Sequence, residues 1–162
     1  MPNRKRKRQL LSVIGPVPVS DHSSLDLGRI ASVEVTSEQD GYPIESALFE
    51  KQEHQGWRAA VSGPQTIRLT FDEPQNLGRV RLVFEEAQNT RTQEFVLRWS
   101  TGLGGSSQEI VRQQWNFSPD GSVLEIEDYA VELFGVRVLE LVIVPDKSDS
   151  EAWASLKSLR LA

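Results

Sequence analysis

The chain has 162 residues, 38% of them hydrophobic, which suits one globular domain and is too little apolar content for a membrane protein. It has no cysteine and two well-separated histidines, His22 and His54, which excludes disulfides, thiolate catalysis and cysteine zinc sites and argues against a histidine-rich metal centre. Five of its 18 basic residues crowd into RKRKR at positions 4–8, leaving 13 basic against 23 acidic residues elsewhere, a body that repels nucleic-acid phosphates.

In chain order, residues 1–28 read as a basic arm. The RKRKR run is followed by LLSVIGPVPVS, whose apolar stretch is broken by Pro16 and Pro18, and then by polar SDHSSLD. Nucleic acid is an expected partner only through this arm. The start resembles the charged beginning of a signal peptide, but no small-residue cleavage site follows it. No apolar run approaches the ~18 residues of a membrane-spanning helix. The reading is a cytoplasmic chain, and the NFS sequon at Asn116 is discounted because Pro119 follows it and a secretory context is missing.

From residue 29 onward, strand patterns dominate. RIASVEVT (29–36) alternates loosely. PIESALFE (43–50) predicts a short helix, with Pro43 at its start and Glu45 in its first turn. QTIRLTF (65–71) places Ile67, Leu69 and Phe71 on one face, and GRVRLVFE (78–85) places Val80, Leu82 and Phe84 inward. QEFVLRWS (93–100) aligns Phe95, Leu97 and Trp99. EIVRQQWNF, SVLEIE, YAVELF, VRVLELVIV and SLKSLRLA complete a series of nine segments. The run 136–144 is apolar on both faces except for Arg137 and Glu140, which predicts a central strand.

Turn signals SGPQ, DEPQNLG, TGLGGSS, SPDGS and VPDKSDS separate these segments. Many short strands without strand–helix alternation predict an all-β antiparallel sandwich or barrel and exclude a doubly wound α/β fold. Asp72, Glu73, Glu85, Glu86, Glu125, Glu127 and Asp128 are expected on solvated strand faces rather than as a spaced catalytic pair. A triad built on His22 with Ser20, Ser23 or Asp26 would lie in the arm, where nothing fixes its geometry. TGLGGSS leads into a strand rather than a helix, so it is no phosphate loop. No catalytic residue is assigned.

The stretch GYPIESALFEKQEHQGWRA (41–59) is similar to the signature of the discoidin, or coagulation factor 5/8 type C, domain family, through Tyr42, Pro43, Ala47, Leu48 and Trp57. GPQTIRLTFDEPQNLGRVRL resembles the next two strands of that family, and SLKSLRLA its closing strand. The resemblance covers residues 29–162 and implies an eight-stranded antiparallel jelly-roll β-sandwich of the galactose-binding-like superfamily, with one short helix. It also implies a binding module rather than an enzyme, recognising a carbohydrate or similar polar ligand through loops at one end. The alternative is an intracellular protein-interaction or assembly module that has lost sugar binding.

Departures from the family pattern shape the expectations. Members that hold calcium carry Asp-Gly-Asp where this chain has Phe49, Glu50 and Lys51. Phenylalanine offers no oxygen and lysine adds an opposing charge, so no calcium, other metal or cofactor is expected. The ligand-site candidates are His54, Trp57, Arg58, Trp115 and Asn116. Trp57 matches a packing anchor as well as a stacking surface. Arg58 either pairs with Glu50 or Glu53 or grips a carboxylate, phosphate or sugar hydroxyl. The amides around Trp115 suit a polar ligand, although the strand pattern also places this indole partly in the sandwich. Trp153 either plugs the end of the sandwich or stands at its rim.

Overall fold

The computed structural model describes residues 24–49, 55–102 and 106–162. The basic run, His22, His54, Glu50 and Glu53 lie outside them. Two long strands decide the architecture. β3 (Gln65–Glu85) and β6 (Leu124–Val144) pair antiparallel along almost their whole length, with register shifts between Thr70 and Arg79. Beyond that irregular stretch each strand enters a second layer.

The first half of β3 lies between β1 (Ala31–Val35) and the second half of β6. That half of β6 then carries β4 (Arg91–Ser100), and β4 carries β5 (Gln108–Phe117). This makes a five-stranded layer. The second half of β3 lies between β8 (Ser158–Leu161) and the first half of β6, a three-stranded layer. Phe84 of the small layer stacks on Phe95 of the large one, with centroids 5.3 Å apart. A ribbon of β2 (Trp57–Arg58) and β7 (Ser155–Leu156) and two helical turns, α1 (Leu27–Ile30) and α2 (Glu45–Leu48), complete an eight-stranded antiparallel jelly-roll β-sandwich. Among the described residues no helix is long and apolar enough to cross a membrane.

The alternating faces pack as their spacing predicts. Ile67, Leu69, Phe71, Val80, Leu82, Phe84, Phe95 and Leu97 are all buried to within 1% exposure, and Trp99 packs partly buried against them. The run 136–144 is central, paired with β3 on one side and β4 on the other. Leu27, near the end of the arm as read from sequence, is already core, and the Leu25 N–H donates to the Leu161 carbonyl.

Two sequence expectations change. DEPQNLG is no turn, because β3 runs straight through it. Pro74 falls at the register shift between Thr70 and Gln75, where a missing N–H costs no ladder bond. On the facing strand Gly135 takes φ +72° and donates its N–H to Asn76 Oδ1 at 3.0 Å, which pins the bend. SVLEIE is the second correction, since its alternation is inverted. Leu124 and Ile126 stand 44% and 47% exposed, while Glu125 is fully buried. Among the described strands this half of β6 pairs only with β3, so it is a sheet edge. Inward-pointing charge is a known device for such edges. Burial first, then the hydrogen bond and charge of Glu127, push the Glu125 carboxyl up to about 9.

The outer face of the large layer is charged in register. Glu34, Arg68, Glu140, Arg98 and Glu109 stand opposite one another across five successive strands. Arg68 meets Glu140 at 2.8 Å and Glu34 at 3.5 Å, and Arg98 meets Glu109 at 3.8 Å.

Candidate ligand-binding cleft

The β2–β7 ribbon sets the site. Gly56, at φ +73°, lets β2 lie tight on β7: a Cβ there would stand 2.5 Å from the Leu156 carbonyl oxygen. Strand alternation then sends the next two side chains in opposite directions. Trp57 turns inward, is fully enclosed, and donates its Nε1–H to the Ser37 carbonyl at 3.0 Å. Its indole supports the site from within and offers no face to a ligand. Arg58 turns outward and is exposed, with its guanidinium carbon 4.1 Å above the Tyr42 ring. No carboxylate among the described residues pairs with it.

Arg58 stands on an open cleft of about 570 Å³ at one end of the sandwich. The cleft runs between the β2 ribbon, the β3–β4 loop (86–90) and the β6–β7 segment (145–154). The Ala59 and Gly63 N–H groups donate to the Ala154 and Ala152 carbonyls, each at 2.9 Å. That zipper fixes the backbone on either side of Trp153, which projects 51% exposed at the rim.

Three acidic groups of the walls, Glu86, Asp146 and Asp149, accept hydrogen bonds from neighbouring groups. Burial alone would raise the Glu86 carboxyl, but hydrogen bonds from Arg91 and from the Gln88 and Asn89 N–H groups hold it below the usual range. Asp146 is likewise lowered against its desolvation, by the Ser148 N–H and Oγ–H and the Thr92 N–H. Asp149 accepts the Glu151 N–H at 2.9 Å. Trp153, Arg58, Glu151 and the amides of Gln55, Gln88 and Asn89 also line the cleft. Such a set can stack an apolar ring face and hydrogen-bond hydroxyls around it.

The structure brings Trp57 and Arg58 to this cleft and leaves Trp115 and Asn116 off its lining. Those two lie on opposite faces of β5. Trp115 faces inward opposite Gln93, partly buried, with its Nε1–H unpartnered. Asn116 faces out and accepts the Thr92 hydroxyl at 2.8 Å. His54 lies outside the described residues, although Gln55 beside it lines the cleft. Arg91, Asp146 and Asp149 were not singled out by sequence, because an acidic loop and a strand-initial arginine carry no distinguishing spacing. Trp153 had a signal: it is the lone aromatic residue in the polar run DKSDSEAW.

No family model matches the sequence, and no curated protein is significantly similar to it. Solved structures are similar in fold. One is a mutant GH29 fucosidase of Ruminococcus gnavus in complex with fucose, with TM-score 0.66 and 12% identity; the match covers 88% of this chain and 27% of that one, so the chain spans about a quarter of the fucosidase. Another is CpGH89CBM32-5 from Clostridium perfringens in complex with GalNAc-β-1,3-galactose, with TM-score 0.61, 17% identity and coverage of 86% and 99%. A third is the CBM32 of AlyQ in complex with 4,5-unsaturated mannuronic acid, with TM-score 0.58, 19% identity and coverage of 87% and 98%. The strand order, the two-layer packing and these matches together give the chain the discoidin-type, galactose-binding-like jelly-roll fold.

Proposed function

We propose that this chain is a non-enzymatic carbohydrate-binding module whose ligand occupies the cleft at the Trp57 end. The half-exposed Trp153 on the same cleft as the exposed Arg58, whose guanidinium lies over the Tyr42 ring, carries the reading. An indole presents a flat apolar surface that matches the C–H face of a pyranose, and the ring of Tyr42 holds the Arg58 guanidinium ready to donate to ring hydroxyls. Gln88 and Asn89 add amides to the opposite wall. Two neighbours matched over nearly their whole length, one in complex with GalNAc-β-1,3-galactose and one with an unsaturated mannuronic acid, support the class of ligand. The ligand is returned unchanged, and no metal takes part.

The test is a glycan array followed by calorimetry on the wild type and Trp153→Ala. Binding of a sugar by the wild type, lost in the variant with an unaltered melting curve, is the expected result. An array and titration without any hit would remove the sugar reading. A protein-interaction module is the second reading, favoured by the outward Leu124, Ile126 and Phe134 on the edge half of β6. Light scattering of wild type against Ile126→Glu would separate the two, since only an interface at this edge would lose association in the variant.

A further inference from the structure

We infer that Arg91 is the positioning residue of the cleft: one buried guanidinium holds two of its walls at a fixed separation. The inference rests on the cleft reading for its consequence in binding, but not for its geometry. Arg91 opens β4 and is 5% exposed. Its Nε–H donates to Glu86 Oε1 at 2.7 Å, and the second oxygen of that carboxylate accepts the Gln88 and Asn89 N–H groups. The β3–β4 wall is therefore wound around a carboxylate that Arg91 holds. Arg91 Nη1–H donates to the Pro145 carbonyl at 2.7 Å, at the point where the β6–β7 wall begins. The neighbouring Thr92 reinforces that second anchor, its carbonyl accepting the Lys147 N–H at 2.8 Å and its N–H donating to Asp146 Oδ1 at 3.4 Å.

The floor is closed by two further contacts. Nη1–H also donates to Gln93 Oε1 at 3.0 Å, and the guanidinium carbon lies 4.8 Å above the Phe117 ring. Four elements thus meet one planar fork whose donors point in fixed directions, a geometry that a lysine ammonium cannot reproduce. Arg91 acts on a bound ligand through the walls, because its own side chain is covered.

Hydrogen exchange on the full chain tests this without any ligand. In Arg91→Lys, the backbone amides of Gln88 and Asn89 and those of Lys147 and Ser148 should exchange about tenfold faster, while the amides of β3 and β6 stay protected. In Glu86→Gln only the first pair should accelerate, because the Pro145 anchor survives. A uniform acceleration in Arg91→Lys would make Arg91 an ordinary fold residue and overturn the inference, as would no acceleration at either wall. Should Arg91→Lys fail to fold, Glu86→Gln decides: release of both walls, or of neither, refutes separate anchoring. Galactose titrated by calorimetry provides the functional arm, with about tenfold weaker binding expected in Arg91→Lys. Absence of heat in the wild type would count against galactose as the ligand of the cleft and leave the exchange result standing.

Discussion

The outer face of the five-stranded layer and the rim of the cleft treat the same side chain in opposite ways. On the sheet, Arg68, Arg98 and Arg112 each meet a carboxylate across or along the strands. At the rim, Arg58 meets an aromatic ring. The cause is geometric. Antiparallel register places side chains of neighbouring strands about 4.5–5.5 Å apart, so alternating charges satisfy one another wherever strands pair. At the end of the sandwich the strands stop, and the Tyr42 ring lies against the guanidinium. A self-neutralised face is solvated and offers little to a partner, whereas a cation that no described carboxylate pairs, on one cleft with an exposed indole, is available to one.

The largest expected effect separates the inner support of the rim from its surface. Trp57→Ala removes a fully enclosed indole and should cost about 3–5 kcal/mol, a steep fall in melting temperature by calorimetry. Trp153→Ala should stay within about 0.5 kcal/mol and act on binding alone. A stable Trp57→Ala that loses ligand would break the division.

Next comes the contrast between inner and outer carboxylates. Glu125 has a folded-state pKa of about 9 against an ordinary 4.5, so folding takes up a proton between those values. Stability should therefore fall as pH rises from about 4.5 towards 9, because the unfolded chain gives up this proton and the folded one does not. Glu125→Gln should flatten that slope, matching the wild type near pH 4 and exceeding it increasingly towards pH 9. Urea titrations across pH measure it. A slope unchanged by the substitution would mean that the carboxyl is solvated after all.

The arginines of the sheet and of the rim give a smaller difference. Arg68→Ala should lose under about 1 kcal/mol, an amount that shrinks with added salt, and leave any sugar affinity intact. Arg58→Ala should leave the melting curve in place and weaken sugar binding. The smallest effect concerns calcium. The Phe49 ring packs against Gly28, at 3.1 Å from where a Cβ would stand, and supplies no oxygen to a cation. Added calcium or chelator should leave the melting temperature unchanged, and a marked rise with calcium would show ligands in the adjoining loop.

The legible parts of the molecule are those with period-two alternation and one buried face. Ile67, Leu69 and Phe71 needed no partner to be placed, because only one face of such a strand is apolar. SVLEIE failed by the same rule: Leu124 and Ile126 look like core, yet this half of β6 lies on an edge whose inner side meets Gln93 and Arg91, not a hydrocarbon wall. DEPQNLG failed because Pro74 and its neighbours carry turn chemistry that a bulge uses equally well.

The all-β class and the inward faces of β3 and β4 were legible from sequence, since alternation and turn chemistry are local and reach only a few residues. Tertiary structure alone decided that two long strands serve both layers, that Glu125 is buried, and that Trp153 shares a cleft with Arg58. It also joined Glu86, Arg91 and Pro145, residues up to 59 positions apart in the chain, around one guanidinium. Contacts of that range depend on where strands end and which edges meet, and neither is encoded by the period of a single strand.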